Sequence, residues 1–410
     1  MTKTRITSTI LLLLLSVVTA IAQTTISGKV TDSATGRPLT HVSVTAEGMK
    51  AHTVTNDEGV FSLKLPTQPQ RLVFSHIGYD TYHQQISEGQ KYPMLIKMSA
   101  STVKLSEIIV QADNPQEILQ AAMSRVKQNY PSTTELLRCF YRETVRKGSR
   151  FISVSEAVAD IYKTPYGYGT TADAVAIIKG RRLMSMKSRD TLGVKMQGGP
   201  MMAVVADVVK NPDYMLNSEN LSHCTLRMEL PEMIDGRLNY VISVSPAESS
   251  PYPLLGGRLF IEQTSLTITR AELQLDVSDW RKASDYMLVH KPLGLRFRPK
   301  ELSMTIVYST DSAGITRISY LRNELRFNCD WKRRLFASTF DAVNEMVITE
   351  RIAQGKEVQR PRGRNSFGIY DRFYDKVEYF DDQEFWKDYN IIEPTESLEH
   401  AINKLKKAKR

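Results

Sequence analysis

The sequence predicts a mainly β protein, in which a small N-terminal β-sandwich precedes an α+β domain built on an antiparallel sheet. Two observations predict this fold class. Apolar residues alternate in short runs between turn residues up to about residue 112, and longer alternating runs follow a single helical stretch. The composition, 41% hydrophobic and 24% charged over 410 residues, excludes a largely disordered or collagen-like chain.

Residues 1–22 predict a secretory signal peptide. They have a basic start (Lys3, Arg5), an apolar stretch at 10–18 and the small-x-small site Ala20-Ile21-Ala22. We expect cleavage after Ala22 and an exported protein of the periplasm or the outer-membrane periphery. No cysteine adjoins the cleavage site, so we expect no N-terminal lipid anchor.

Residues 23–112 predict the sandwich. Turn-forming residues at 32–36, 56–59 and 66–69 separate short alternating strands such as Phe61-Ser62-Leu63-Lys64-Leu65. About six or seven such strands in a segment of this length are typical of a two-sheet sandwich.

Three stretches of this segment resemble the carboxypeptidase regulatory-like domain, a transthyretin-like sandwich of exported Bacteroidetes proteins. They are ISGKVTDSATGRPLTHVSVTAEG, TVTNDEGVFSLKLP and LVFSHIGYDTYHQQI. The resemblance implies structural roles, in which Asp57 and Gly59 close a hairpin and Phe61 follows as an inward anchor. It also implies a domain that carries no zinc and no catalytic residues.

A predicted helix marks the start of the second domain. We expect this domain to span residues 113–390. Asn114 can cap the helix, with Pro115 at the first position and Glu117 three residues past the cap. Strands follow it, among them the alternating Tyr240, Ile242 and Val244, and a hairpin that turns at residues 311–314.

The stretch GRLFIEQTSLTITRAELQLDV is similar to strand pairs of the outer-membrane lipoprotein carrier and sorting folds. That resemblance implies a curled antiparallel sheet around a hydrophobic groove. It therefore raises the possibility of a lipophilic ligand.

Methionines and aromatic residues of the second domain are candidates for a ligand or partner surface. The methionines surround Gly198-Gly199-Pro200 and allow plain packing, a flexible cover over an apolar ligand, or Cu(I) ligation. The aromatic residues, with Trp331, allow a sugar-stacking platform or simple core packing. The candidate residues are Met184, Met186, Met201, Met202, Trp280 and Tyr286.

No motif predicts catalysis, a metal or a cofactor. The chain lacks H-E-x-x-H, the H-x-x-E pair of metallocarboxypeptidases, G-x-S-x-G and a phosphate-binding glycine loop. The basic excess is interspersed with acids, which indicates a solvated surface and no nucleic-acid partner. Cys139, Cys224 and Cys329 would allow one disulfide at most.

Residues 391–410 predict a C-terminal amphipathic helix that ends in basic residues. Its apolar stripe includes Leu398, Ile402 and Leu405. The terminal cations can complement the helix dipole, or they can bring the helix to an anionic membrane surface as a peripheral contact.

From these features we expect a non-catalytic binding or adaptor module of the cell envelope, with an envelope protein, a lipophilic molecule or a glycan as its partner. One alternative is a periplasmic carrier that holds a lipophilic ligand on a half-barrel-like sheet. An apolar groove of roughly 300 Å³ or more would identify it. A second alternative is an unrecognised envelope hydrolase, which requires titratable groups that converge in a cleft.

Overall fold

The computed structural model describes residues 23–101, 114–187, 198–247, 250–288, 293–331, 337–362, 366–376 and 385–407. The predicted signal peptide and the predicted boundary between the two domains lie outside these residues. None of the described helices is long and apolar enough to cross a membrane.

The protein is mainly β, as the sequence predicted. The strands of the N-terminal part are β1 (Thr24–Asp32), β2 (Ser43–Ala46), β3 (His52–Val54), β4 (Val60–Leu65), β5 (Arg71–Ser75), β6 (Tyr82–Gln85) and β7 (Met94–Met98). Those of the second part are β8 (Glu135–Lys147), β9 (Arg150–Lys163), β10 (Ala174–Met184), β11 (Cys224–Ile234), β12 (Arg237–Pro246), β13 (Leu255–Glu262), β14 (Ile268–Leu275), β15 (Leu295–Thr310), β16 (Thr316–Trp331), β17 (Ser338–Gln354) and β18 (Ser366–Phe367). The helices are α1 (Pro115–Ser124), α2 (Val126–Asn129), α3 (Gly199–Val205), α4 (Ser218–Ser222), α5 (Trp280–Met287), α6 (Phe373–Lys376) and α7 (Glu396–Lys407).

Strands β1–β7 form the sandwich from two small sheets, ordered β4-β1-β7 and β3-β2-β5-β6. Alternate residues of β1 and β4 are buried, and Phe61 is fully buried in the core, the inward anchor that the resemblance implied. Gly59 has a φ of +75°, and a Cβ there would lie 2.5 Å from the Val30 carbonyl oxygen. Only glycine therefore fits this turn.

The role expected for Asp57 needs a correction. The Asn56 side chain closes the turn, because its Oδ1 accepts the N–H groups of Glu58 and Val60 at 2.9 Å each. Asp57 instead points toward the second sheet, where its carboxylate lies 3.2 Å from Nε2 of His41 and 3.6 Å from Nη2 of Arg322.

The second sheet contains eleven described strands in the order β11-β12-β13-β14-β15-β16-β17-β8-β9-β10-β18. Every pairing is antiparallel, and the sheet is curled. The predicted hairpin at residues 311–314 joins β15 to β16, and Gly314 N–H donates to the Asp311 carbonyl at 2.9 Å. Helix α1 begins as expected, because Asn114 Oδ1 caps the N–H of Gln116 at 3.0 Å.

The two faces of this sheet carry different parts of the chain. Residues such as Tyr141, Leu321 and Met346 point to the face that packs against α1, α2 and α3, which we call the helix face. Their neighbours Phe140, Tyr320 and Val347 point to the other face, which we call the sandwich face. Alternation along each strand therefore produces two cores on one sheet.

The sandwich is fixed to the sandwich face along one side. Val54 of β3 is buried with Phe140 and Ile392, and Thr53 Oγ1 donates to the Ile391 carbonyl at 3.2 Å. The outer edge of β4 is closed by Asn390, whose side chain accepts from Lys64 N at 2.7 Å and donates to Lys64 O at 3.0 Å. One side of the sandwich is therefore occupied by the protein itself.

Helix α7 forms where the sequence predicted a helix, but its apolar stripe does not face a membrane. Leu398, Ile402 and Leu405 are buried against Val154 of β9 and Leu183 of β10. The membrane contact expected through this helix is therefore wrong for its apolar face, because folding within the chain already removes that face from water.

Candidate functional site

The predicted methionine cluster is divided by the fold. Met184 and Met186, at the end of β10, are 42% and 69% exposed. Met201 is buried in α3 beside Phe367, which pairs with Val175 at the other end of β10. Nine strand residues separate these ends, or about 30 Å. Met202 lies with Met201, packed over Gly198, and Met196 is outside the described residues.

The predicted aromatic platform is not assembled either. Trp280 and Tyr286 lie six positions apart on α5, so they point in different directions. The guanidinium groups of Arg281 and Arg298 lie 5.3 Å and 5.2 Å from the Trp280 ring centroid and occupy its faces. Tyr286 is 59% exposed, and the side chain of Trp331 lies outside the described residues.

A row of polar side chains that the sequence analysis missed crosses the helix face. Arg182 is opposite Ser155, Ser155 is opposite Glu143, Glu143 is opposite Asn344, and Asn344 is opposite Asn323. Directly opposed residues of antiparallel strands project to the same face about 5 Å apart. These five residues, which we call the polar row, span about 19 Å across five strands.

Apolar residues flank the polar row on both sides. Toward α3 lie four buried residues that are again directly opposed: Ala157, Tyr141, Met346 and Leu321. Toward α5 lie Met184, Ser153, Val145, Ala342 and Leu325, of which Val145 and Ala342 are buried. The polar row is thus a hydrophilic stripe between two apolar surfaces.

Part of the polar row has no hydrogen-bond partner. Ser155 is only 1% exposed, yet its Oγ has no partner, and neither does the buried Oδ1 of Asn323. They are two of the four such side-chain atoms found among the described residues. The other Asn323 group, Nδ2, donates to Asn344 Oδ1 at 3.0 Å.

Glu143 is also incompletely satisfied. Burial raises the pKa of its carboxyl group to about 7, and the Tyr141 hydroxyl, which donates at 3.3 Å, offsets this shift only in part. A buried polar atom without a partner costs free energy, so the fold leaves two unsatisfied groups in this row, three strands apart.

Other buried charges on the same face are fully paired. Asp207 accepts from Lys163 Nζ at 2.8 Å, from Tyr166 OH at 2.9 Å and from Tyr308 OH at 2.8 Å. Lys210 Nζ donates to both carboxylate oxygens of Asp173, at 2.6 and 2.7 Å. This cluster ties residues 207–210 to the strands and has no group left for a ligand.

A cleft of 140 Å³ lies on the sandwich face, between the sandwich, the sheet and residues 392–398. Arg142 and Arg322 in its wall share Glu345, at 3.3 Å and 3.2 Å. The His41 ring, which donates to Asp57, and the nearby Arg322 lower the pKa of Asp57 to about 2. Of these ion pairs, the one between Asp57 and Arg322, at 3.6 Å, connects the sandwich with the large sheet. A second cavity of 200 Å³ lies nearby, beside Lys64 and Asn390.

β6 and β7 pair with no further described strand, although the β5–β6 turn beside them contacts the large sheet, where Gly78 N–H donates to the Met233 carbonyl at 3.4 Å. β6 and β7 are the last described strands of their sheets, opposite β3 and β4. Leu95 of β7 is 77% exposed, with Lys97 on the same face and Lys29 directly opposite on β1. This face of the sandwich therefore combines one exposed apolar side chain with two lysines.

Among the described residues, neither the cysteines nor the histidines form a site. Cys139 and Cys329 are buried, Cys224 is half-buried, and none of the three forms a disulfide. Burial raises the pKa of the Cys139 thiol to about 12. Over the part of the chain that the structure describes, no three His, Cys, Asp or Glu side chains converge in a way that could hold a metal ion.

Residues 26–110 match the family model of the CarboxypepD_reg-like domain, which confirms the resemblance of the sandwich. No curated protein matches the chain. Among solved structures, a LolA superfamily protein from Nitrosomonas europaea is 12% identical, covering 58% of this chain and 94% of its own, with a TM-score of 0.23. A putative membrane-associated protein of unknown function from Bacteroides fragilis is 11% identical, covering 81% and 99%, with a TM-score of 0.16. Scores this low support no argument about function.

Proposed function

We propose that this chain is a non-catalytic adaptor of the cell envelope, exported by its N-terminal segment, whose sandwich binds a partner protein through the β6–β7 side. The observation that carries the proposal is the asymmetry of the sandwich. Its β3–β4 side is closed by β17 and Asn390, whereas β6 and β7 pair with no further strand among the described residues. An open strand offers backbone groups to which a partner's strand can pair.

The surface chemistry of β7 indicates what kind of partner fits. Leu95 supplies an apolar contact, and the ammonium groups of Lys29 and Lys97 flank it. A segment with alternating apolar and acidic residues would bury the leucine and pair with both lysines.

The paired charges of the cleft support a non-catalytic role. A hydrolase needs a carboxyl group or nucleophile that is free to react, but Glu345 is held by two arginines and Asp57 by His41 and Arg322. The carrier alternative stays a prediction, because the protein's own helices already cover the apolar core of the helix face.

Site-specific photo-crosslinking in the native envelope tests the adaptor. A photoreactive residue replaces Leu95 in one variant and Leu293, which is 99% exposed on the second domain, in a matched control. We expect one envelope protein to be linked at Leu95 and not at Leu293, with the yield lowered by Lys97→Glu. Equal products at both positions, or none at Leu95, would reject the proposal.

A further inference from the structure

Strand β11 forms one edge of the large sheet, because among the described strands it pairs only with β12. The His223 carbonyl accepts from the Ala247 N–H at 2.8 Å, and these two residues continue the register of the two strands. Hydrogen-bonded pairs alternate along an antiparallel ladder, so the odd-numbered residues of this stretch bond to β12. Leu226, Met228 and Leu230 therefore direct their N–H and C=O groups away from β12, to the open edge.

The open stretch of this edge is short. Beyond it, Pro231 has no N–H to donate, and the Met233 carbonyl already accepts from Gly78 N–H of the sandwich at 3.4 Å. A β-bulge follows Glu229 at the same place. A partner strand can therefore pair only with residues 226–230.

The five residues of this stretch, Leu226-Arg227-Met228-Glu229-Leu230, complement themselves when two copies run antiparallel. Centring the pair on Met228 places each Arg227 directly opposite the Glu229 of the other copy. Arg227 and Glu229 are both exposed, and neither forms an ion pair with another described residue. They then lie in a non-hydrogen-bonded pair, the kind in which opposed side chains come closest. A second copy therefore neutralises two charges that the chain itself leaves unpaired.

The apolar side chains of the stretch point to the helix face. Leu226 and Met228 pack partly against its core, and Leu230 is 71% exposed. In the antiparallel pair, Met228 meets Met228 of the other copy, and each Leu230 lies opposite a Leu226. The pair therefore also removes apolar surface from water. An edge strand that carried only like charges would instead repel its own copy.

From these observations we infer that the protein forms a symmetric dimer, in which residues 226–230 of two copies pair as antiparallel strands and join two large sheets into one. Roughly six backbone hydrogen bonds and two ion pairs hold the strands together. Because both copies use the same surface, the pair closes on itself and adds no third copy. The interface lies on the large sheet and leaves β6 and β7 of the sandwich for the proposed adaptor contact.

Sedimentation velocity with charge-reversed variants tests the inference. The mature protein should show a concentration-dependent dimer between about 1 and 100 μM. Arg227→Glu and Glu229→Arg should each weaken the dimer at least about tenfold, because like charges then face each other. A mixture of the two variants should restore it, since every pair across the axis then joins an acid to a base.

Glu88→Arg, at an exposed position of the sandwich, is the matched control for charge reversal and should dimerise as wild type does. Three results would overturn the inference: a wild-type protein that stays monomeric over the whole range, single variants that dimerise normally, or a mixture that stays monomeric.

A cysteine at the axis supplies a second readout without a change of charge. In the dimer, the two copies of Met228 form a hydrogen-bonded pair with about 5.5 Å between their Cα atoms, within reach of a disulfide. The two copies of Leu226 lie about 14 Å apart, which is too far. In a Cys224→Ser background, mild oxidation should link Met228→Cys chains into dimers and leave Leu226→Cys chains monomeric. Equal linkage at both positions, or none at Met228, would exclude this pairing of β11.

Discussion

At the scale of single residues, buried carboxyl groups of the large sheet behave in two ways. Burial alone would raise the pKa of Glu156, but Arg142 and Arg181 outweigh it and lower the pKa. No described cation lowers the pKa of Glu143, so burial dominates and its pKa rises to about 7. The two residues lie on opposite faces of the same strand pair, β8 and β9. Which one is paired is therefore decided by the directly opposed residues of the neighbouring strands, which are Arg142 and Arg181 for Glu156 but Ser155 and Asn344 for Glu143.

Because the pKa of the Glu143 carboxyl group is raised in the folded protein, we predict that the stability of the protein depends on pH. The variant Glu143→Gln should remove this dependence. Between the unfolded value of 4.5 and the folded value of about 7, the folded protein holds a proton that the unfolded chain has lost, so wild-type stability falls as pH rises through this window. Glutamine stays neutral throughout. Relative to wild type, the variant should gain about 1–2 kcal/mol between pH 5 and pH 8.

Urea denaturation of both proteins at the two pH values measures this gain. Glu88→Gln, at an exposed position of the sandwich, serves as the control and should run parallel to wild type. Parallel curves for Glu143→Gln as well would mean that Glu143 ionises normally in the folded protein.

At the scale of elements, helix α7 shows how an amphipathic pattern acquires its meaning. Its stripe of Leu398, Ile402 and Leu405 is equally suited to a membrane and to a sheet. The structure places it on β9 and β10, with Phe385, Trp386, Ile391 and Ile392 buried earlier on the same face. The helix is therefore part of the fold of the second domain.

Leu398→Ala tests the role of α7. Because Leu398 is 5% exposed, truncation leaves a cavity against Val154 and Leu183, and we expect a loss of about 2–4 kcal/mol in the free energy of unfolding. Lys404→Ala, on the exposed side of the helix, should change it little. Co-sedimentation with anionic vesicles should be the same for both variants. A binding defect without a stability defect in Leu398→Ala would restore the membrane role.

At the scale of the whole molecule, the sandwich and the large sheet share one core. Val54 of the sandwich is buried with Phe140 and Val347 of the sheet and with Ile392 of the C-terminal segment. An ion pair reinforces this contact, because Asp57 of the sandwich lies 3.6 Å from Arg322 of β16 beside the cleft. The two parts should therefore unfold together.

Calorimetry tests this coupling. The wild-type protein should unfold in one cooperative transition, and Ile392→Ala should lower the stability by about 2–4 kcal/mol and separate a sandwich transition from that of the sheet. Ile369→Ala, at a position that is 36% exposed, should keep a single transition close to that of wild type. Two transitions in the wild-type protein itself would contradict a shared core.

Local sequence patterns determined the β class, the sandwich, the cap of α1 and the hairpin at residues 311–314, because each depends on neighbouring residues and their own backbone preferences. The polar row could not be found in this way. Its members come from five strands between residues 143 and 344, and only the pairing register sets them side by side. The prediction of the methionine cluster failed for the converse reason. Met184 and Met201 are near each other in sequence, but they lie at opposite ends of β10. Tertiary structure also decided that α7 covers the sheet and that β3 and β4 are closed, whereas β6 and β7 are the last described strands of their sheets. The sequence of an element shows that its apolar face or strand edge will be covered. Which segment covers it depends on how the whole chain packs.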